Sequence, residues 1–148
     1  MAFEVLSEIT NEQERVSKLY DIYDEDARLT KSKAAKVEFT TSLFYLEKAL
    51  TQNSKVLDIG AGTGVYSLPL ASKGHSVTAV ELAPRNVEVF RSKIKESMDI
   101  RLIHGNALDL SMLEDSTFDI VLLFGPLYHL LEKEDRNTAI REAMRVLR

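Results

Sequence analysis

The chain has no cysteine, which excludes disulfides, thiolate nucleophiles and zinc–thiolate centres together. It has no long apolar stretch, and its first residues lack the basic-then-apolar order of a secretory signal. Neither a membrane span nor export is expected. With the missing cysteine, this points to the cytoplasm. The three histidines are scattered, so no metal site is expected. Positive charge is also scarce. The formal net charge is −4 and the pI about 5.4, whereas a protein that grips duplex phosphate carries a basic surface. Lys31, Lys33 and Lys36 form the densest basic cluster, after Asp24-Glu25-Asp26, and read as a solvated helix face. A nucleic-acid partner is therefore not expected. Repeats, low-complexity tracts and linkers are missing too, and 148 residues suit one domain with a real core.

What is present is an ordered alternation. Two helical stretches come first. One runs from about Ser7 to Tyr23, with Ile9, Val16, Leu19, Tyr20 and Tyr23 at near-helical spacing. The other runs from about Ser32 to Leu50, with Val37, Leu43, Phe44, Leu46 and Leu50 on one side. From Lys55 the pattern predicts a strand at 55–59, a helix at 65–72, a strand at 76–81 and a helix at 84–97 begun by Pro84. A strand at 100–104, a loop or helical turn through Ser111 to Asp115, a strand at 118–124 and a helix at 132–147 follow. Such alternation predicts an α/β fold with a parallel sheet covered on both faces. Ligands of such sheets lie outside the carboxyl ends of the strands, where strand order reverses. Here those ends carry Asp58, Glu81, Asn106 and Phe124-Gly125-Pro126.

The densest chemistry lies in Val56-Leu57-Asp58-Ile59-Gly60-Ala61-Gly62-Thr63-Gly64. A strand, a glycine turn and a helix bring backbone N–H groups to one point, where a polar ligand can lie. Glu81 closes the next apolar run, twenty-one positions after Gly60, and an acid at that spacing is placed to hold a ribose diol. Two details separate the candidate cofactors. A nicotinamide site reads G-x-G-x-x-G, but Gly64 falls one place early and Val65 fills the expected position. Asp58, two residues before the first glycine, would repel a pyrophosphate. It suits a ligand with an ammonium group and no phosphate, as in S-adenosylmethionine.

Asp58-Ile59-Gly60-Ala61-Gly62-Thr63-Gly64, Glu81, Gly105-Asn106-Ala107 and Phe118-Asp119-Ile120-Val121 resemble the successive motifs of class I S-adenosylmethionine-dependent methyltransferases. The resemblance runs from Lys55 to the last residue and is nearest to the small-molecule, quinone-biosynthesis-like group. It implies a Rossmann-like three-layer sandwich with strand order 3-2-1-4, residues 1–53 forming a helical cap and 54–148 the cofactor domain. Gly60, Ala61 and Gly62 would contact the methionine moiety through their backbone, with Gly64 completing the turn, and Asp58 would meet its amino group. Glu81 would accept the ribose hydroxyls, Leu82 would pack on the adenine, and Asn106 and Ala107 would lie at its edge. The side-chain oxygen of Asn106 would accept from the adenine amino group where an aspartate often stands. Phe124, Gly125 and Pro126 would line the methyl-transfer cleft.

The implied reaction is methyl transfer to N, O or C of a small molecule, which needs alignment more than a catalytic pair. His129 and Tyr128 are the catalytic candidates. His129 reads equally as a base or as a structural histidine in an apolar run. Tyr20 reads as core packing, Tyr23 as packing or as a cover over the cofactor, His75 as exposed and His104 as partly buried. Arg141 to Arg148 resembles the helix before the family's fifth strand, so the chain is expected to be truncated there. Phe118, Ile120, Val121, Leu122, Leu123 and Phe124 would then form an apolar open edge through which a homodimer can pair. A cofactor-binding fragment without turnover and a nicotinamide-dependent oxidoreductase are the alternatives.

Overall fold

The computed structural model describes residue 6 and residues 9–23, 25–27 and 31–148. Helix α1, Glu12–Ile22, begins where the Asn11 side chain accepts the Glu14 N–H at 3.0 Å, satisfying one of the free donors of the first turn. The expected start at Ser7, and Asp24 of the acidic run, lie outside the described residues. A single 3-10 turn, Glu25–Ala27, follows. Helix α2, Lys33–Ala49, is capped in the same way by Ser32, which accepts from the Ala35 N–H at 3.1 Å. Its inward side is Phe39, Leu43, Leu46 and Leu50. The expected Val37 and Phe44 point outward and are 64% and 52% exposed, because the side that packs inward is the one bearing Phe39, Leu43 and Leu46.

The remaining chain alternates as predicted: β1 Lys55–Ile59, α3 Ser67–Ser72, β2 Ser76–Glu81, α4 Pro84–Lys93, β3 Ile100–His104, β4 Ile120–Leu122 and α5 Lys133–Val146. All pairings are parallel and the order is β3-β2-β1-β4, the Rossmann-like order expected. Successive strand residues face opposite layers. Val56, Val77 and Leu122 pack with Leu70 and Leu46 under α3 and α2, while Ala79 meets Phe90 of α4. Leu57, Ile59 and Val80 pack on the other face with Ala143 and Val146 of α5. No helix among the described residues is long and apolar enough to cross a membrane.

Three boundaries differ from expectation. Helix α3 starts at Ser67 rather than 65, because the glycine turn continues through Gly64, whose N–H bonds the Ala61 carbonyl. Helix α4 stops at Lys93, where Ile94 leaves helical geometry. Strand β4 covers only Ile120–Leu122, matched to Val56–Asp58 of β1 before that strand turns. The apolar edge is accordingly shorter than 118–124: Phe118 and Leu122 are buried, and Phe118 is bridged in parallel to Leu147.

Candidate functional site

The sheet order reverses between β1 and β4, and there the carboxyl ends of β1, β2 and β4 open into a cleft of about 780 Å³. This is the switch point at which open α/β sheets take ligands, and the size is that of a small-molecule pocket. Its floor is the glycine turn, and its outer wall comes from α1, α2 and the Glu25–Ala27 turn.

Gly60 sits at φ +72°, and a Cβ there would lie 2.7 Å from the Pro126 ring. The turns after β1 and β4 can therefore close on each other only with glycine at this position. The Gly60 and Ala61 N–H groups donate to the Val80 carbonyl at 2.8 and 3.1 Å, and the Gly62 N–H donates to Glu81 Oε2 at 2.8 Å. These three donors are bonded within the protein. Gly64 is not a lining residue. At φ +86° it faces Phe90, whose ring lies 2.4 Å from where a Cβ would be. Its role here is to let α4 approach the turn.

Asp58 is 3% exposed and accepts the Ser67 hydroxyl at 2.7 Å. Burial pushes its carboxyl up to about 6, with the Ser67 hydrogen bond opposing the shift and the charge of Glu81 adding to it. Glu81, also buried, accepts from three donors: the Gly62 N–H, the Ala83 N–H at 2.9 Å and Asn86 Nδ2 at 3.2 Å. An ionised carboxylate has about four acceptor positions, so its orientation is fixed. Asn86 was not singled out from the sequence, although it stands five places after Glu81 in the first turn of α4 and reaches back to it.

Leu82, Asn106, Ala107 and Phe124 all line the cleft. The Asn106 side-chain oxygen accepts the Leu108 N–H at 3.1 Å and keeps a second lone pair for a ligand. Phe124 is held edge-on to Tyr66, with ring centroids 5.1 Å apart. Tyr128 is exposed at the mouth.

His129 is half-buried and its Nε2 lies 2.9 Å from the Tyr20 hydroxyl. Desolvation holds the imidazole below its ordinary range, against the opposing charges of Glu81 and Glu12, and Arg15 lowers it further. Tyr20 is thus a cleft residue rather than core packing, and Tyr23 stands on the same wall. The expected burial of the other histidines is corrected as well. His75 is half-buried, with Nδ1 lacking a partner. His104 is exposed, with Nε2 donating to the Leu82 carbonyl.

Sequence reasoning missed the acids of the outer wall, Glu12, Glu25 and Glu38. Helical periodicity assigns them to solvent, and only the folding of α1 and α2 over the sheet edge turns them inward. The outer wall is tied down by Asp26, which accepts from Lys93 and, at 2.9 Å, from the Thr63 hydroxyl, while Arg85 donates to the Asp21 carbonyl.

The methyltransferase domain family matches residues 56–148. The chain belongs to that family. The match decides between the two cofactors in favour of S-adenosylmethionine. The methyltransferase domain is similar to the ubiquinone biosynthesis O-methyltransferase of Methylocella silvestris, 41% identical over 81 residues, which are 53% of this chain and 30% of the relative. It is similar to the cypemycin N-terminal methyltransferase of a Streptomyces species, 33% identical over 85 residues, 57% of this chain and 34% of the relative. Among solved structures, an S-adenosylmethionine-dependent methyltransferase from Methanosarcina mazei superposes with a TM-score of 0.64 and 29% identity, over 70% of this chain and 52% of the other. The chain spans about a third of the length of these two curated relatives.

Proposed function

We propose that the cleft binds S-adenosylmethionine and serves methyl transfer to a small-molecule acceptor. The observation that carries this is the pair of buried carboxylates, Asp58 and Glu81, set on either side of the glycine turn at the switch point. Such a donor set fits the cofactor: it welcomes an ammonium group and a diol and has no place for a phosphate. When bound, the cofactor supplies a methyl group already activated on a sulfonium.

The protein's part is placement. Asp58 would receive the amino group, beside the backbone of Gly60, Ala61 and Gly62, and Glu81 the ribose hydroxyls. Leu82 would pack on the adenine, and Asn106 and Ala107 would lie at its edge. Phe124, Gly125 and Pro126 would line the transfer point. Burial lowers the basicity of His129, whose imidazole would take a proton from an acceptor group, and Tyr20 orients its ring. Residues 1–53 would cap this site on the 54–148 domain. The relative named for ubiquinone biosynthesis and the one named for an N-terminus support a small acceptor group without choosing its atom. The lack of cysteine supports a cytoplasmic setting, and the edge of β4 at Ile120–Leu122 is proposed as a contact for a second copy.

Calorimetric titration with S-adenosylhomocysteine tests the cofactor assignment. Micromolar binding is expected, weakened about tenfold or more by Glu81→Gln, which removes a charged acceptor but keeps the shape. No binding by the native chain, or an unchanged affinity in the variant, overturns it.

A further inference from the structure

Resting on the reading that Glu81 receives the ribose of the cofactor, we propose that Asn86 is the positioning residue that aims the Glu81 carboxylate at the ribose hydroxyls. Glu81 closes β2 and lines the cleft, whereas Asn86 is not a lining residue. Both are buried, at 5% and 3% exposure. The carboxylate is held at both oxygens. Oε2 accepts the Gly62 N–H at 2.8 Å, and Oε1 accepts the Ala83 N–H at 2.9 Å and Asn86 Nδ2 at 3.2 Å. Two of those donors are main chain, and among the described residues Asn86 is the one side chain that bonds Glu81.

The surroundings of Asn86 single it out. In the first turn of α4 it shares the buried side of the helix with Val87 and Phe90, which are apolar. A primary amide placed there gives up its water and needs a partner inside the protein. Its nitrogen finds that partner in Glu81. An apolar residue of the same volume would pack at this place without any such requirement, so packing alone does not call for an asparagine. The helix start also fixes its reach, since Pro84 begins α4 and the N–H of the preceding Ala83 meets the same oxygen as Asn86. A carboxylate turns broadly about its last torsion. Two donors, one on each oxygen, define a line about which the group can still rock, and a third donor off that line stops it. Glu81 and Asp58 repel each other across the turn, which displaces the carboxylate once a holding bond is lost.

The test uses the full chain at neutral pH and two ligands, S-adenosylhomocysteine and its analogue lacking both ribose hydroxyls, titrated calorimetrically. The native chain is expected to bind the first about thirtyfold more tightly, because its hydroxyls donate to a charged acceptor. Asn86→Leu keeps the volume but has no N–H. It should weaken S-adenosylhomocysteine about tenfold and the analogue hardly at all, narrowing the preference to about threefold. Asn86→Asp, of nearly the same shape, has no N–H to give when ionised and should narrow the preference likewise. A merely structural role would weaken both ligands together and leave their ratio alone, so the ratio reads the aim of Glu81 even in a less stable variant. An unchanged ratio in either folded variant overturns the proposal for Asn86 and leaves the cofactor reading intact. A native chain that does not bind S-adenosylhomocysteine, or does not prefer it to the analogue, overturns the ribose reading and the proposal with it.

Discussion

Asp58 is a buried acid at the floor of the cleft. Its carboxyl is pushed up to about 6 from an ordinary 3.8, so in that pH window the folded chain keeps a proton that the unfolded chain has released. Stability therefore falls as pH rises from 3.8 to about 6, by an amount on the order of 3 kcal/mol from this one group. Asp58→Asn should remove that slope and raise the urea midpoint at neutral pH, since the Ser67 hydroxyl still finds an oxygen to bond. The same variant should weaken S-adenosylhomocysteine binding, a loss of function for a gain in stability. An unchanged slope in pH-dependent urea titrations would show that another group carries it. Asp58 and Glu81 were legible in the sequence because each is fixed by its place at a strand end. Asn86, Glu12 and Glu38 were not, because they act through space rather than through motif spacing. The N–H groups of the glycine turn were misjudged for a related reason. Their partners, the Val80 carbonyl and Glu81, belong to the neighbouring strand.

Among the elements, the short Glu25–Ala27 turn is the one whose attachment is most exposed. Lys93 holds the Asp26 carboxyl below its ordinary range, against desolvation and with a second hydrogen bond from Thr63. An ion pair this open to water contributes at most about 1 kcal/mol to global stability, yet it fastens the outer wall to α4 and to the glycine turn. Asp26→Ala is therefore expected to leave the melting temperature nearly unchanged while S-adenosylhomocysteine dissociates several times faster in stopped flow, with earlier amide exchange in residues 12–27. A large drop in melting temperature with unchanged dissociation would make the contact structural instead. Strand identities were readable because β1 and β2 are mostly apolar, and their order through the family resemblance. The ends were less so. Nothing local marks residues 65 and 66 as turn rather than helix, and β4 pairs with β1 over Ile120–Leu122 alone, which its own sequence does not reveal. The inward face of α2 was misplaced because Val37 and Phe44 are apolar but exposed.

For the molecule as a whole, β4 is the outermost strand on its side of the sheet, with Leu147 exposed beside it. A second copy pairing along Ile120–Leu122 would satisfy that edge. Light scattering should then give a mass rising with concentration, returned to that of one chain by Leu147→Glu, and a single-chain mass at every concentration would count against the pairing. The topology itself was legible, since alternating strands and helices leave few right-handed arrangements. The composition of the cleft was not, because it depends on where the first two helices come to rest. The contact between Gly60 and the Pro126 ring has a consequence for how such a site can diversify. Where two turns are shut against each other so closely, the surface between them is main chain, and side-chain replacements other than at Asp58, Glu81 and their hydrogen-bond partners leave the floor unaltered. The outer wall, built from side chains of helices resting on the sheet, has no such protection. Substitution can thus redirect the choice of acceptor while recognition at the floor stays as it was.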